Sequence, residues 1–314
     1  MHAQPILVVT GQTATGKTKL ALSVAQKVSG DILSADSRQI YKYLDIISGK
    51  DVVENNFVLV TQIGNYAIGY YTVHTVRIWL YDVVDPKQYF SSYDWALCAQ
   101  TVLTILRTQH KTPLIVGGSY FYIKALIDGL ISTTMPNWQL RRELETVSVY
   151  ELQNRLKITQ PDLYTTMNRS DKYNRRRLIR KLEQTHVTNQ NSGLKPLEGY
   201  NIQWVGLIHQ TSEELKKAIE NRVKVRMKQG ATDEVALLMN MGYSSNNPGM
   251  QSIGYRQLAD YSGTDTNLKQ ALAQWIVKEL QYAKRQKTAI SKDKRVRLFL
   301  PHEIHRDILV SMLE

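Results

Sequence analysis

The sequence predicts an α/β protein in which a parallel sheet, flanked by helices, is built around a phosphate-binding loop. An apolar, β-branched run at residues 6–10 (ILVVT) leads directly into the glycine-containing stretch GQTATGKT. Apolar residues then recur at helical spacing over 17–28. Further buried strands are predicted at 31–35 and 113–116, and strands that alternate with helices favour a parallel sheet.

The remaining elements follow from local patterns. Ser91 and Asp94 have the spacing of a capping box, which predicts that a helix begins there. Residues 57–84 are dense in Val, Ile, Tyr and Thr and contain Gly64-Asn65, which predicts a β-hairpin that leads into a strand. The patterns also predict strands and helices nearer the C-terminus: strands at 202–208 and 296–300, helices at 212–229 and 268–287.

The organisation changes between residues 136 and 199. This stretch holds polar, basic helical patterns such as NWQLRRELE, VYELQNRLK and NRRRLIRKLE, without a strand pattern. We therefore expect a P-loop core at residues 1–135 and 200–314, interrupted by an all-helical insertion at 136–199.

The charge is distributed unevenly. The 314 residues carry 40 Lys and Arg against 28 Asp and Glu, a net charge of +12. Beyond residue 136 the count is 29 basic against 19 acidic residues. A basic excess confined to one part of the chain indicates a surface for a polyanion, with nucleic acid the first candidate. The alternative is an ordinary basic protein with a solvated surface.

Composition excludes several classes. The chain is 43% hydrophobic and 22% charged, which is typical of a globular protein. It has no run of about 18 apolar residues and no basic leader, so we expect a cytoplasmic protein without membrane contact. Cys98 is the single cysteine, which excludes a disulfide within the chain. We expect it to be buried on a helix.

The stretch GQTATGKT fits the phosphate-loop pattern G-x-x-x-x-G-K-[ST] in full, between a strand and a helix. Its glycines let backbone N–H groups point at phosphate oxygens, and the helix N-terminus adds partial positive charge. Lys17 supplies a point charge and Thr18 a ligand for Mg²⁺. The predicted diphosphate-binding residues are Gly11, Gln12, Thr13, Ala14, Thr15, Gly16, Lys17 and Thr18. The loop leaves the reaction open between a kinase, an NTPase and a transferase with a diphosphate leaving group.

Asp36 follows the second predicted strand directly. Residues at the carboxyl ends of parallel strands face one crevice, so we expect this carboxylate near the bound diphosphate. There it would coordinate Mg²⁺ or act as a general base on an incoming nucleophile. The structural alternative is an aspartate that caps the following turn.

Several motifs resemble one family along nearly the whole chain. In order, they are GQTATGKT, SADSRQIY, LDIISGK, YDVVDP, IVGGSYFYIKAL, NRRRLIRKLE, SIGYRQL and YAKRQ. Together they are similar to the tRNA dimethylallyltransferases, also called tRNA isopentenyltransferases. The resemblance implies transfer of a dimethylallyl group from dimethylallyl diphosphate to the N6 amine of the adenine 3′-adjacent to the anticodon. It also implies Mg²⁺ as cofactor and the tRNA anticodon stem-loop as partner, and we expect a monomer.

The resemblance assigns roles residue by residue. It makes Asp36 the general base, with Lys17 and Arg222 on the diphosphate. Arg222 continues an apolar helical stripe, and a charge there needs either a bound anion or a structural salt bridge. The alternative for the basic residues of the insertion is a charged helix face that is simply solvated. The residues expected to contact tRNA are Asp36, Ser37, Arg38, Gln39, Ser119, Arg141, Arg176, Arg177 and Arg180.

The chain also departs from the family pattern. Ala218 and Leu280 stand where many members have arginine, and residues 287–295 lack the usual aromatic residue. The strand-rich stretch 57–80 is unlike the shorter connection expected there. These departures concern the tRNA-binding surface and the substrate range, and leave the reaction class untouched.

Three other functions fit part of the pattern. A P-loop small-molecule kinase using ATP leaves the basic second half unexplained. A prenyltransferase acting on free adenine nucleotides would lack the helical insertion. A non-catalytic RNA-binding protein would not need Lys17, Thr18 and Asp36 together.

Overall fold

The computed structural model of the protein describes residues 3–50, 56–130, 137–185, 193–260 and 265–313. It divides into two compact units. The first consists of Met1–Ile127 and Leu197–Glu314, and the second of Asp128–Pro196. The sequence patterns placed these boundaries a few residues later in the chain, at 135/136 and 199/200.

The first unit contains an eight-stranded sheet with the order β3-β4-β5-β2-β6-β1-β7-β8. Strands β5, β2, β6, β1, β7 and β8 pair in parallel, whereas β3–β4 and β4–β5 pair antiparallel. The sheet is therefore mixed, with its antiparallel part at one edge. The strands are β1 (Gln4–Gly11), β2 (Gly30–Ser34), β3 (Val58–Ile63), β4 (Tyr66–Val73), β5 (Val76–Trp79), β6 (Thr112–Val116), β7 (Tyr200–Leu207) and β8 (Arg297–Phe299).

Helices cover the sheet and form the second unit. Those of the first unit before the break are α1 (Lys17–Lys27), α2 (Ser92–Thr108) and α3 (Tyr120–Ile127). The second unit contains α4 (Trp138–Glu145), α5 (Val149–Thr159), α6 (Pro161–Thr166), α7 (Arg169–Lys172) and α8 (Arg175–Thr185). The chain then returns to the first unit with α9 (Ser212–Lys228), α10 (Ala231–Asn240), α11 (Tyr255–Ala259), α12 (Asp265–Ile290) and α13 (Arg306–Ser311).

The central strands are buried, as expected for parallel strands with helices over both faces. Ile6, Leu7, Val8 and Val9 of β1 are fully buried. The predicted helix after Ser91 is present as α2, and both hydrogen bonds of its capping box are formed. The α/β fold class and the hairpin in the strand-rich segment are confirmed. Cys98 is buried within α2, also as predicted.

The second unit has a core of its own. Leucines from α4, α5 and α8 pack together, among them Leu144, Leu152, Leu156, Leu178 and Leu182. The arginine-rich helix α8 thus buries one apolar stripe and leaves charged side chains such as Arg177 exposed. Among the described residues, none of the helices combines the length and the hydropathy that a membrane span requires.

Candidate active site

The phosphate-binding loop follows the carboxyl end of β1, and two glycines make its shape possible. Gly11 has a φ of +134°, and a Cβ added there would lie 2.1 Å from the carbonyl oxygen of Leu207. Gly16 caps α1 with a φ of +78°, in the left-handed region. Both conformations favour glycine, and they turn the loop back over the N-terminus of α1. The loop predicted from GQTATGKT therefore has the geometry of an anion cradle.

Lys17 is the first residue of α1, and its side chain turns back into the loop. Its Nζ donates to the carbonyl oxygen of Gln12 at 2.5 Å and lies 3.4 Å from Thr15 Oγ1. Burial, and after it the charge of Arg222, lower the pKa of Lys17 to about 7, while Asp36 acts in the opposite direction. A phosphate in this position would supply the counter-charge that the ammonium group lacks.

The loop borders an open pocket of about 210 Å³. Polar side chains converge on it from four parts of the first unit. They come from the phosphate loop, the turn after β2, helix α9 and helix α12, and they include Thr18, Asp36, Arg38, Gln39, Arg222, Tyr282 and Gln286. The structure thus brings together Lys17, Thr18, Asp36 and Arg222, which the sequence placed at one site.

Asp36 lies in the turn that follows β2 and is partly exposed at the pocket. One of its carboxylate oxygens, Oδ1, accepts a hydrogen bond from the backbone N–H of Arg38 at 2.9 Å. This is the turn-capping bond that the structural alternative required. It leaves the other carboxylate oxygen for a ligand, so turn capping and a catalytic role are compatible here.

Residues 36–50, called here the 36–50 loop, contribute Gln39, Ser48 and Gly49 to the pocket as well as Asp36. Glu234 of α10 holds the middle of this loop. Its Oε1 accepts from the backbone N–H groups of Asp45 and Ile46 at 2.6 and 2.7 Å, and its Oε2 accepts from Ile47 at 3.1 Å. Tyr255 donates a further hydrogen bond at 2.8 Å. A single buried carboxylate thus satisfies three backbone donors.

Lys50 fixes the end of the same loop. Its ammonium group is fully buried and donates to Asp45 Oδ1 at 2.7 Å and to the carbonyl oxygen of Tyr41 at 2.8 Å. It also pairs with Asp82, which in turn accepts from the hydroxyl of Tyr71. The pocket-lining loop is therefore held by two buried charged residues that the sequence patterns did not single out.

Arg38 was expected to contact tRNA, but the structure gives it a buried partner. Its Nη1 lies 2.5 Å from Oε1 of Glu279 and its Nη2 lies 3.3 Å from Oε2. The guanidinium also lies 5.0 Å from the ring centroid of Tyr282. Burial alone would raise the pKa of the Glu279 carboxyl. The charge of Arg38 outweighs this effect and holds that pKa below its usual value. Glu279 was missed because a polar residue on a long helix gives no sign of a partner that is distant in sequence.

Gln286 of α12 connects two motifs that line the pocket. Its Oε1 accepts from the backbone N–H of Thr13 at 2.9 Å, and its Nε2 donates to the carbonyl oxygen of Gly118 at 3.0 Å. Gln12 bonds to α12 as well, through the carbonyl oxygen of Ala283 at 3.2 Å. The YAKRQ motif therefore orients the phosphate loop, and this explains why a glutamine ends it.

Arg222 was expected to meet either a bound anion or a structural salt bridge. Its Nη2 donates to the carbonyl oxygen of Ser48 at 3.2 Å, and the side chain lines the pocket. Burial lowers its pKa, and Glu279 partly offsets this. No salt bridge of Arg222 is present among the residues that the structure describes. Arg226, four residues after Arg222 on α9, is buried and donates to Gln229 at 2.8 Å.

Ser119 and Ser37 lie together beside the pocket. The hydroxyl of Ser119 accepts from the backbone N–H of Ser37 at 2.9 Å, and the N–H of Ser119 donates to the carbonyl oxygen of Ala35 at 3.0 Å. Ser119 is buried. The hydroxyl expected to contact nucleic acid thus braces the turn that carries Asp36.

The predicted tRNA-contacting arginines of the second unit have different surroundings. Arg141 and Arg180 both pair with Glu183, whose side chain is 1% exposed. Arg177 is 58% exposed and pairs with Asp171. Arg176 lies in α8, but its side chain falls outside the described residues. Of the four arginines, Arg177 is thus the one whose described side chain is mainly exposed.

The fold and this pocket together define the class of protein to which the chain belongs. A sheet strand that runs into a complete G-x-x-x-x-G-K-[ST] loop and then a helix makes this a P-loop α/β protein. The chain belongs to the IPP transferase family: the model of that description matches residues 39–293, and a second model, described as isopentenyl transferase, matches residues 4–62. These matches confirm the predicted family and do not favour the kinase alternative.

Curated relatives match along nearly all of the chain. The tRNA dimethylallyltransferase 1 of Pelobacter propionicus is 32% identical over 302 residues, which cover 93% of this chain and 91% of that protein. The tRNA dimethylallyltransferase of Aquifex aeolicus is 31% identical over 90% of this chain and 87% of its own length.

Solved structures share the fold. The full-length tRNA isopentenylpyrophosphate transferase of Bacillus halodurans has a TM-score of 0.66 at 25% identity, covering 99% of this chain and 94% of that one. A eukaryotic dimethylallyltransferase acting on tRNA has a TM-score of 0.73 and covers 95% of this chain and 74% of that one. At 20% identity the latter establishes the fold alone.

Proposed function

We propose that this protein transfers a dimethylallyl group from dimethylallyl diphosphate to the N6 amine of the adenine 3′-adjacent to the anticodon in tRNA. The observation that carries this proposal is the convergence of Lys17, Arg222 and Asp36 on one pocket, in a chain of the IPP transferase family. Two cations and a loop of backbone donors suit a diphosphate, and one carboxylate suits an acceptor for a proton.

The phosphate loop and Arg222 hold the leaving group. Backbone N–H groups at the N-terminus of α1 bind phosphate oxygens, and Lys17 and Arg222 lie on the pocket wall as cations. As the bond between the allylic carbon and the diphosphate oxygen breaks, negative charge grows on the diphosphate. Fixed cations that meet this growing charge lower the barrier.

Asp36 acts on the other reactant. The lone pair of the adenine N6 amine forms the new bond to the allylic carbon, which leaves a positively charged nitrogen. The proton lost from N6 moves to the carboxylate of Asp36, and the diphosphate departs with the electron pair of the broken carbon–oxygen bond. A neutral secondary amine remains, so atoms and charge balance.

The pocket also fits a magnesium ion. Thr18 offers an oxygen ligand at its wall, and Mg²⁺ prefers a few protein oxygens completed by phosphate and water. The described residues contain no cluster of three or more His, Cys, Asp or Glu, so a site built from protein ligands alone is not offered there. When bound, the ion neutralises charge on the diphosphate.

The tRNA partner is the part of the proposal that rests on the second unit and on the family. The exposed Arg177 of α8 presents positive charge of the kind that binds phosphates of an RNA backbone. The target adenine must leave its stack to reach the pocket, as other enzymes require of the bases they modify. A tRNA substrate supports a cytoplasmic location.

The proposal is tested by incubating the protein with Mg²⁺, dimethylallyl diphosphate labelled in its isoprenoid part, and bulk tRNA. We expect label in RNA, recovered after digestion as an N6-alkylated adenosine. A matched reaction contains the Lys17→Met variant, and another replaces the donor with ATP labelled in its γ-phosphate. Absence of isoprenoid label from RNA refutes the proposal, and transfer of the γ-phosphate to a small molecule establishes the kinase alternative.

A further inference from the structure

We propose that Tyr43, together with Tyr243 and two lysines, forms a platform on which an unpaired nucleotide of the RNA substrate stacks. This inference rests on the proposed function, since it takes RNA as the substrate. The platform is defined by four residues of the first unit: Tyr43, Tyr243, Lys42 and Lys87.

Tyr43 has an unusual backbone conformation. Its φ is +66°, in the left-handed region that a bulky residue other than glycine rarely occupies. Leu80 and Asp82 have a positive φ at buried positions, whereas Ser29, His74 and His110 have it at exposed positions in turns. Tyr43 is 49% exposed. Strained backbone clusters at ligand sites, and Tyr43 has the largest side chain among the described residues that are exposed and have a positive φ.

The exposed ring does not stand alone. The centroid of Tyr43 lies 6.3 Å from that of Tyr243, with the rings inclined at 39°. Tyr243 is itself buried, and its hydroxyl donates to Asp85 at 2.8 Å, which fixes its orientation. The pair thus presents one anchored ring and one exposed ring. Exposed aromatic rings are the surfaces on which unpaired bases stack.

The charges beside the rings suit a nucleic acid. Lys87 is exposed, and its Nζ lies 5.3 Å from the ring centroid of Tyr243. Lys42 directly precedes Tyr43 and is partly exposed. The neighbouring carboxylates are already engaged, because Asp85 accepts from Tyr243 and from the backbone of Lys87, and Asp45 accepts from Lys50. One cation beside the ring pair, with a second on the residue before Tyr43, matches one base and its phosphates.

Tyr43 lies close in the chain to residues that line the pocket. Tyr43 lies in the 36–50 loop, between Gln39 and Ser48, both of which line the pocket. Glu234 holds this loop after Tyr43, at Asp45, and Lys50 holds it before Tyr43, at the carbonyl oxygen of Tyr41. Gln39 lies four residues before Tyr43, a span of at most about 14 Å, so we place a nucleotide stacked on Tyr43 close in the RNA to the one that enters the pocket.

The test compares Tyr43→Ala and Tyr43→Gly with Tyr43→Phe, using an anticodon stem-loop RNA and dimethylallyl diphosphate. The glycine variant suits the left-handed backbone, so it removes the ring while keeping the loop conformation. We expect both ring-deleting variants to raise the Kd and KM for RNA roughly 5- to 100-fold, with the KM for dimethylallyl diphosphate unchanged. Tyr43→Phe keeps the ring and should behave as wild type.

A second measurement identifies the stacked base. Abasic sites are introduced one at a time along the RNA loop, and the Kd of each RNA is measured for wild type and for Tyr43→Ala. We expect one position at which the abasic site weakens binding to wild type and has no further effect on the variant. An unchanged Kd in both ring-deleting variants, the lack of such a position, or equal changes in RNA and diphosphate binding would each overturn the platform. Wild-type protein that binds this RNA but transfers no label would instead refute the proposed reaction.

Discussion

Arg38 and Glu279 form a buried ion pair between the turn that carries Asp36 and the long helix α12. The two side chains are 10% and 2% exposed, and two N–O contacts of 2.5 and 3.3 Å join them. Glu279 also lies 3.3 Å from the indole nitrogen of Trp275. The pair sets the position of Arg38 at the pocket wall, 241 residues away in the chain from its partner.

Removal of Glu279 is therefore expected to be costly. Glu279→Ala leaves a buried guanidinium without its counter-charge, and we expect the free energy of unfolding to fall by about 3–5 kcal/mol. Urea denaturation measures this loss. The double variant Arg38→Met with Glu279→Leu should recover most of the stability and still turn over slowly, because Arg38 lines the pocket. Wild-type stability in Glu279→Ala would contradict a structural role for the pair.

Asp36 gives a separate prediction about catalysis. Asp36→Asn keeps an acceptor for the N–H of Arg38 but removes the base. We expect kcat to fall roughly 10²–10⁴-fold, with the Kd for diphosphate nearly unchanged. Steady-state kinetics and calorimetry measure the two quantities. Comparable losses in both would show that Asp36 binds the diphosphate complex rather than accepting the proton.

The lowered pKa of Lys17 leads us to expect that diphosphate binding depends on pH. The folded lysine has a pKa of about 7 and an unfolded lysine 10.5, so the unfolded chain binds more protons between these values. The cost of burying Lys17 therefore shrinks as pH rises through that window, and the free energy of unfolding rises accordingly. A bound diphosphate should restore the proton, and near pH 8 we expect uptake of up to about one proton. Calorimetry in buffers of different ionisation enthalpy measures it, and uptake that persists in Lys17→Met would assign it to another group.

The hydrogen bonds from the 36–50 loop to Glu234 lead us to expect that anchoring of this loop affects turnover. Glu234→Ala leaves three backbone N–H groups of the 36–50 loop without their acceptor. We expect a loss of roughly 3 kcal/mol in the free energy of unfolding and a lower kcat. The adjacent Asp233 is exposed on the same helix, so Asp233→Ala is the matched control and should change stability by less than about 1 kcal/mol. Equal effects of the two variants would refute the anchoring role.

The arginines of the second unit should separate into two kinds. Arg141 forms a bidentate pair with the buried Glu183, at 3.0 and 2.8 Å. Arg141→Ala should therefore lower the thermal stability of the protein. Arg177 is mainly exposed, so Arg177→Ala should leave the Tm near wild type, weaken RNA binding, and reduce the slope of log Kd against log salt by about one. The reverse pattern would overturn this division.

Short-range patterns in the sequence determined much of this protein. Three features each depend on residues a few positions apart: the strand–loop–helix at residues 6–28, the capping box at Ser91 and the hairpin at Gly64. They can therefore be predicted without tertiary contacts. The motifs were also sufficient for the family, because their order along the chain is preserved.

The partners of charged residues were decided by the tertiary structure alone. Arg38 and Arg141 carry positive charge that would suit RNA equally well, and only the fold places Glu279 and Glu183 against them. The anchoring of the 36–50 loop by Glu234 likewise depends on a contact across about 190 residues. The physical reason is that a buried ion pair is fixed by where the backbone brings two side chains, and spacing along the sequence carries no information about that distance.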